Sequence, residues 1–193
     1  MRRPVLVTPA SALPVTVAEV KGALRIDGAD LDSEIESQIK SAVEYYEGWS
    51  GILGVCLVEQ TWRQSFDRFE RCLMLPLRPV QSITSVNWRN AAGETATVAT
   101  SNYALETDDG GLSFVRFKRG YAYPSGLADA GAVSVEYIVG WPLAEGKPTT
   151  PESIKAAIKI RVQMHIDEAA KQGADVLEKI ESRLIGTYRS VGL

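Results

Sequence analysis

The sequence predicts an α+β fold, with a helical bundle core built from the two ends of the chain and an antiparallel β insertion between them. Three observations predict it. Apolar residues recur every three or four positions over 15–50 and again over 150–185. Over 55–141 the period changes to two, as strands require. Turn-forming clusters punctuate that middle stretch, at Asn90-Ala91-Ala92-Gly93-Glu94 and at Asp108-Asp109-Gly110-Gly111. The reading is one domain over 1–193, with an N-terminal arm at 1–14 and a C-terminal tail at 186–193.

The arm begins like a signal peptide, with Arg2 and Arg3 before Val5-Leu6-Val7, but Pro4, Pro9 and Pro14 interrupt the apolar run. An extended arm is expected instead. A short first helix follows. Thr16 and Glu19 have the spacing of a capping box, and Val15 and Val20 stand at the staple positions beside it. Ile26-Asp27-Gly28-Ala29-Asp30 ends it. The second helix is the clearest element: Leu31, Ile35, Ile39, Val43 and Tyr46 form one apolar stripe, widened by Ala42. Asp30 or Asp32 is its expected cap, and Asp32, Glu34 and Glu36 suit the positive end of its dipole. Gly48, Ser50 and Gly51 stop it.

In the middle, Val58, Gln60, Trp62, Gln64 and Phe66 alternate with Glu59, Thr61, Arg63 and Ser65. Cys72-Leu73-Met74-Leu75 is a second strand, ended by Pro76 and Pro79, and Val80 to Trp88 a third. Residues 112–118 and 132–139 also alternate, with Val133, Val135, Tyr137 and Val139 on one face. Helical spacing then returns. Thr150-Pro151-Glu152 reads as a cap, a proline at the first helical position and an acid. Ile154, Ile158, Arg161, Val162 and His165 follow. After a break at 171–174, Asp175 opens a last helix with Leu177, Ile180 and Leu184 on one face. Gly186 is placed to stop it in a left-handed conformation. Beyond it, Tyr188, Val191 and Leu193 have no evident partner within the chain, and Arg189 carries a fork suited to a carboxylate.

The 193 residues are 45% hydrophobic and 23% charged, an ordinary globular composition. The net charge is −3, without the basic excess of a nucleic-acid binder. No apolar run is long enough to span a membrane. Cys56 and Cys72 are too few for a disulfide framework and read as small apolar side chains. An enzyme needs a constellation, and the parts are missing. His165 lies two residues before Asp167, a spacing at which side chains on a helix diverge. It reads as a packing or surface residue. One histidine and two dispersed cysteines cannot close a zinc site. Asp27, Asp30, Asp32 and Glu34 lack the spacing of a calcium loop, and the glycines at 48, 51 and 54 lack the lysine of a phosphate loop. No catalytic residue, metal or cofactor is expected. Residues 27–47 carry seven acids against the single base Lys40, while Arg2, Arg3, Arg183 and Arg189 make the termini basic. An acidic wall of this kind repels DNA, and basic termini suit an acidic partner.

The order of several phrases carries a resemblance. Pro14-Val15-Thr16-Val17-Ala18-Glu19-Val20-Lys21-Gly22-Ala23-Leu24-Arg25-Ile26 is similar to the opening of the phage head–tail connector (adaptor) family. An acidic segment and a helix ending in aromatics follow, from Asp30 to Trp49. Ser50-Gly51-Ile52-Leu53 and Leu57 to Trp62 echo the family's next phrase, and Leu75-Pro76-Leu77-Arg78-Pro79-Val80-Gln81-Ser82-Ile83-Thr84-Ser85-Val86 its most characteristic one. Val133 to Trp141 and Pro151 to Ile158 complete the series. The stretch of aromatics usual near the end of the third helix is missing.

The resemblance implies a structural virion protein and no enzyme. Its copies would form a dodecameric ring between the portal protein of the DNA-filled head and a tail-side stopper protein. DNA would pass through the extended channel without specific binding. The particle is a bacteriophage or a gene transfer agent, assembled in a bacterial cytoplasm, and the chain sits in its neck. Tyr188, Arg189, Val191 and Leu193 would then dock on the portal, and Asp32, Glu34 and Glu36 would face the lumen or solvent. Two alternatives stand beside this reading. One is another neck or tail-completion protein, a stopper or terminator. The other is a carbohydrate-binding β module that stacks sugars on Trp88, Tyr103, Tyr121 and Tyr123.

Overall fold

The computed structural model describes residues 2–167, 170 and 172–189. The contacts of the chain cluster into two compact units. Each is assembled from two separate stretches. The β unit takes the chain up to Ala10 and Glu59–Gly140, and the helical unit takes Ser11–Val58 and the chain from Trp141 onward.

The helical unit contains α1 (Val17–Leu24), α2 (Asp32–Tyr46), α3 (Glu152–Ile166) and α4 (Ala174–Ile185), with a small hairpin of β9 (Leu143–Ala144) and β10 (Lys147–Pro148). The capping box of α1 is present: the Thr16 hydroxyl accepts from the Glu19 amide at 3.2 Å, and the Glu19 carboxylate accepts from the Thr16 amide at 2.7 Å. Val15 and Val20 are buried beside it. α2 departs from expectation at its start. Neither Asp30 nor Asp32 caps it; Leu31 holds the cap position and makes no side-chain cap bond. Asp32 is the first helical residue, and its carboxylate is taken by Lys21 Nζ at 2.6 Å. The stripe is as the spacing predicts, with Ile35, Ile39, Ala42 and Tyr46 buried. After α2 the chain folds back so closely that a Cβ at Gly51 would collide with the Glu47 carbonyl, so only glycine fits. This return brings the Ile52 amide to the Tyr45 carbonyl at 3.0 Å.

Thr150 does not cap α3. It is buried, and its hydroxyl donates to the Leu57 carbonyl, an acceptor that burial leaves in need of a partner. Pro151 holds the cap position. Ile154, Ala157, Ile158 and Val162 turn inward and join α1 and α2 residues in one core, which Ile185 of α4 completes. Gly186 is not left-handed. Its φ of −56° and ψ of −37° continue the helical sense into a 3-10 turn, Gly186–Tyr188.

The β unit holds two antiparallel sheets. A five-stranded sheet has the order β1-β2-β8-β4-β5, from β1 (Val5–Thr8), β2 (Gln60–Phe66), β8 (Val133–Val139), β4 (Val80–Arg89) and β5 (Thr95–Thr97). A three-stranded sheet has the order β3-β7-β6, from β3 (Cys72–Leu75), β7 (Ser113–Phe117) and β6 (Tyr103–Thr107). β8 pairs on both sides, Trp62↔Tyr137 with β2 and Ile83↔Tyr137 with β4. Val133, Val135, Tyr137 and Val139 are fully buried, as their alternation predicts. The beginning of the arm is β1, paired with β2 through Val5↔Arg63 and Leu6↔Trp62. Two polar contacts fix it. Buried Gln64 donates to the Arg2 carbonyl at 2.7 Å, and Arg2 Nε meets Asp67 at 3.1 Å.

Candidate docking surfaces

The C-terminal helix is held by a charge that sequence periodicity does not place inside. Leu177, Ile180 and Leu184 read as the inner face of α4, yet Ile180 is 41% exposed, and Glu181 is buried with Ile185. Glu181 Oε1 accepts from the Tyr46 hydroxyl and from Arg161 Nη1, the latter at 2.9 Å. Arg161 in turn lies over the Tyr45 ring, 3.5 Å from its centroid. One carboxylate thus ties α4 to α2 and α3. A buried charge is tolerated because both its partners are supplied by neighbouring helices. Burial, reinforced by the Glu181 carboxylate, pushes the Tyr46 phenol well above its ordinary range.

Of the expected docking residues, Tyr188 proves to have partners within the chain. Its ring stands edge-on to Trp141 at 6.0 Å, and its hydroxyl lies 3.4 Å from Ser153 Oγ. It packs against the helical core. Arg189, next in the chain, is exposed. Val191 and Leu193 lie outside the described residues. Packing of Tyr188 therefore carries the folded core past Gly186.

The acidic face of α2 is also altered by partners. Asp32 is paired with Lys21, a base outside the acidic stretch, and Glu36 with Lys40 at 2.6 Å. Glu34 and Glu44 are exposed. The face is less negative than a count along the sequence implies, because folding returns α1 to its start. Beside it, Tyr45, Trp49 and Ile52 are 39%, 42% and 36% exposed. Sequence analysis did not single out this patch, although Trp49 directly follows the helix stop at Gly48. Trp and Tyr are the residues most often found at the energetic centres of protein interfaces.

Other expected residues are occupied. Of the aromatics offered to sugars, Tyr121 stacks on Phe117 at 5.5 Å, Tyr123 stacks on Phe69 at 5.4 Å but stays 42% exposed, and Tyr103 is 8% exposed. His165 Nδ1 lies 2.8 Å from the Arg161 carbonyl, one turn back on its own helix. Cys56 and Cys72 form no disulfide. Among the described residues no cluster of His, Cys, Asp and Glu is arranged to hold a metal, and no helix is long and apolar enough to cross a membrane.

The architecture has counterparts among solved structures. The chain is similar to a chain in the neck of an empty gene transfer agent particle computed with C6 symmetry. The TM-score is 0.78 at 20% identity, covering 100% of this chain and 97% of that one. It is similar to a chain in the neck of the native particle computed with C12 symmetry, at a TM-score of 0.74 and 21% identity, covering 100% and 97%. A chain in the virion of the native particle gives a TM-score of 0.74 at 21% identity, covering 98% and 96%. The fold is one found in gene transfer agent particles. No protein-family model and no curated protein sequence matches the chain.

Proposed function

We propose that the chain is a structural neck protein of a tailed particle, a bacteriophage or a gene transfer agent. In this reading its copies form a ring adaptor between the portal protein and a tail-side stopper, and DNA passes through without specific binding. The observation that supports it is a fold shared over the whole length with chains of particle necks computed with sixfold and twelvefold symmetry. The order of connector-like phrases from Pro14 to Ile158 points the same way. The chain acts by binding and shape, with no metal, cofactor or chemistry of its own. Deleting its gene is expected to leave DNA-filled heads without tails, counted by electron microscopy, and re-expression restores them. Normal tailed particles from the deleted strain would overturn the reading.

Within this ring the C-terminal segment from Tyr188 to Leu193 anchors each copy to the portal. Tyr188 acts as the hinge packed on the core, and Arg189 is the first docking residue. The α2 face with Asp32, Glu34 and Glu36 turns to the lumen or to solvent. Reversing both Glu34→Lys and Glu36→Lys is expected to lower unfolding free energy by about 1–2 kcal/mol, because the Glu36–Lys40 pair becomes a like-charge pair and two cations replace acids near the positive end of the α2 dipole. The variant still joins the portal in a pull-down, and DNA passage is unchanged or slower. Loss of portal binding in that variant would move the contact onto α2.

A further inference from the structure

Charge is segregated within the β unit. The chain as a whole is acidic, with a net charge of −3. One end of the three-stranded sheet is basic. Arg71 stands just before β3, and Lys118 and Arg119 just after β7. Backbone pairing brings them together: the Phe117 amide donates to the Arg71 carbonyl at 3.1 Å, and the Lys118 amide donates to the Asn102 carbonyl at 2.8 Å. All three bases are exposed. Among the described residues none of the three has an ion pair, whereas neighbouring Arg68 is paired with Glu70 and Arg116 with Glu106. The chain then turns at Gly120, where φ is +89°, and the Tyr121 amide donates back to the Lys118 carbonyl at 3.1 Å.

An aromatic cluster fixes this end. Phe69 and Phe117 stand edge-on at 5.4 Å, with Tyr123 stacked on the first and Tyr121 on the second. The rings are turned on one another, and Phe117 is fully buried. What reaches solvent is three cations beside Tyr123, which is 42% exposed. The centre of a protein–protein interface is apolar and depleted in charge. Here the charges are the surface, and the apolar rings lie beneath it. Cations and tyrosine hydroxyls are the groups that contact phosphate oxygens along a nucleic-acid backbone.

We propose that Arg71, Lys118 and Arg119, with Tyr123 beside them, form a sequence-independent contact for the phosphate backbone of duplex DNA. This rests on the ring reading given above and names the part of each copy that touches the DNA. A few phosphate contacts per copy hold the duplex weakly and leave it able to slide. Repetition around the ring multiplies them. The acidity of the whole chain hides this end from a count of net charge, because the bases are gathered by the pairing of β3, β7 and β6.

The test measures binding of the purified full-length chain to short fluorescent DNA duplexes by anisotropy. Three phosphate contacts predict that affinity falls about 20-fold as salt rises threefold, and equally for two unrelated sequences. Replacing Arg71, Lys118 and Arg119 together by alanine is expected to lower affinity at low salt by at least about tenfold and to flatten the salt dependence. Replacing Arg3, Lys147 and Lys179 by alanine removes the same charge from exposed positions elsewhere and should leave affinity within about threefold. Circular dichroism checks the fold of both variants. If the patch variant loses its fold, Arg119→Glu alone is read in its place, with a loss of several-fold expected. No binding by the parent chain at low salt, or an equal loss in both triple variants, would overturn the contact and leave the ring reading standing. In particles assembled in the producing cells, the patch variant is expected at the parent's level. Its absence from them would assign the patch to an acidic protein partner and overturn the proposal. Particles that form with tails but contain none of the parent chain would overturn the ring reading, and the proposal with it.

Discussion

Replacing Glu181 with alanine is expected to destabilise the helical unit by about 3–5 kcal/mol. The loss comes from two stranded partners. Arg161, a quarter exposed, would keep its charge with no counter-ion, and the hydroxyl of buried Tyr46 would lose its acceptor. Partial exposure of Arg161 lets water screen it, which places the expected loss at the lower end, about 3 kcal/mol. Urea unfolding followed by circular dichroism at the helical band measures it. Glu181→Gln keeps an acceptor for Tyr46 and should lose about half as much. A loss below about 1 kcal/mol for the alanine variant would show that the network does not hold α4. The same network sets an alkaline limit. Burial, then the Glu181 contact, raise the Tyr46 pKa in the folded chain above its unfolded value of about 10. The folded state therefore holds that proton more tightly. Its contribution is whole below about pH 10 and is lost as pH rises from there toward the folded value. Tyr46→Phe should flatten the fall in melting temperature between about pH 9 and about pH 11 relative to the parent.

Ending the chain at Tyr188 is expected to leave the fold intact and to abolish attachment to DNA-filled heads. The cut must spare Tyr188, because its contacts with Trp141 and Ser153 belong to the core. Removing it as well would confuse a folding defect with a docking defect. With only 189–193 gone, the melting temperature should match the full chain within about 2 °C. Occupancy on purified heads, read by immunoblot, should fall by at least about tenfold, since the proposed ring would lose every copy of the contact at once. Arg189→Glu in the full chain should give a smaller loss. Full occupancy of the truncated chain on heads that go on to bind tails would show that the anchor lies elsewhere.

What was legible in the sequence was whatever a single element decides for itself. The α1 capping box is local to four residues, and the buried face of β8 follows from strict alternation at 133, 135, 137 and 139. β3 also falls where Cys72-Leu73-Met74-Leu75 places it. What escaped depends on partners distant in sequence. Glu181 is buried because Tyr46, on a helix in the other half of the chain, and Arg161 both donate to it. Ile180, more apolar, is left outside. Thr150 abandons the cap of α3 for a carbonyl at Leu57. Asp32 loses its role as a free acid to Lys21. β5, with only Thr95-Ala96-Thr97, is too short and polar to announce itself, and β1 reads as an arm until β2 gives it a ladder. For the proposed docking residues, the sequence shows which are charged or apolar but not which have partners within the chain: Tyr188 packs on Trp141, and Asp32 pairs with Lys21. The packing of Tyr188 escaped because Trp141 lies far upstream.

The division of the helical unit between the two ends of the chain has a consequence during synthesis. The inward face of α2, with Ile35, Ile39 and Tyr46, is made before Ile154, Ile158 and Ile185, which share its core. At about 5–20 residues per second, roughly 7–28 s of translation separate Tyr46 from Ile185. Throughout that interval the nascent chain carries an uncovered apolar helix while the β unit is still being made. A ribosome stalled within the β unit would leave the same face open, so slow codons between about Glu59 and Gly140 should lower soluble yield more than equal slowing after Ile185.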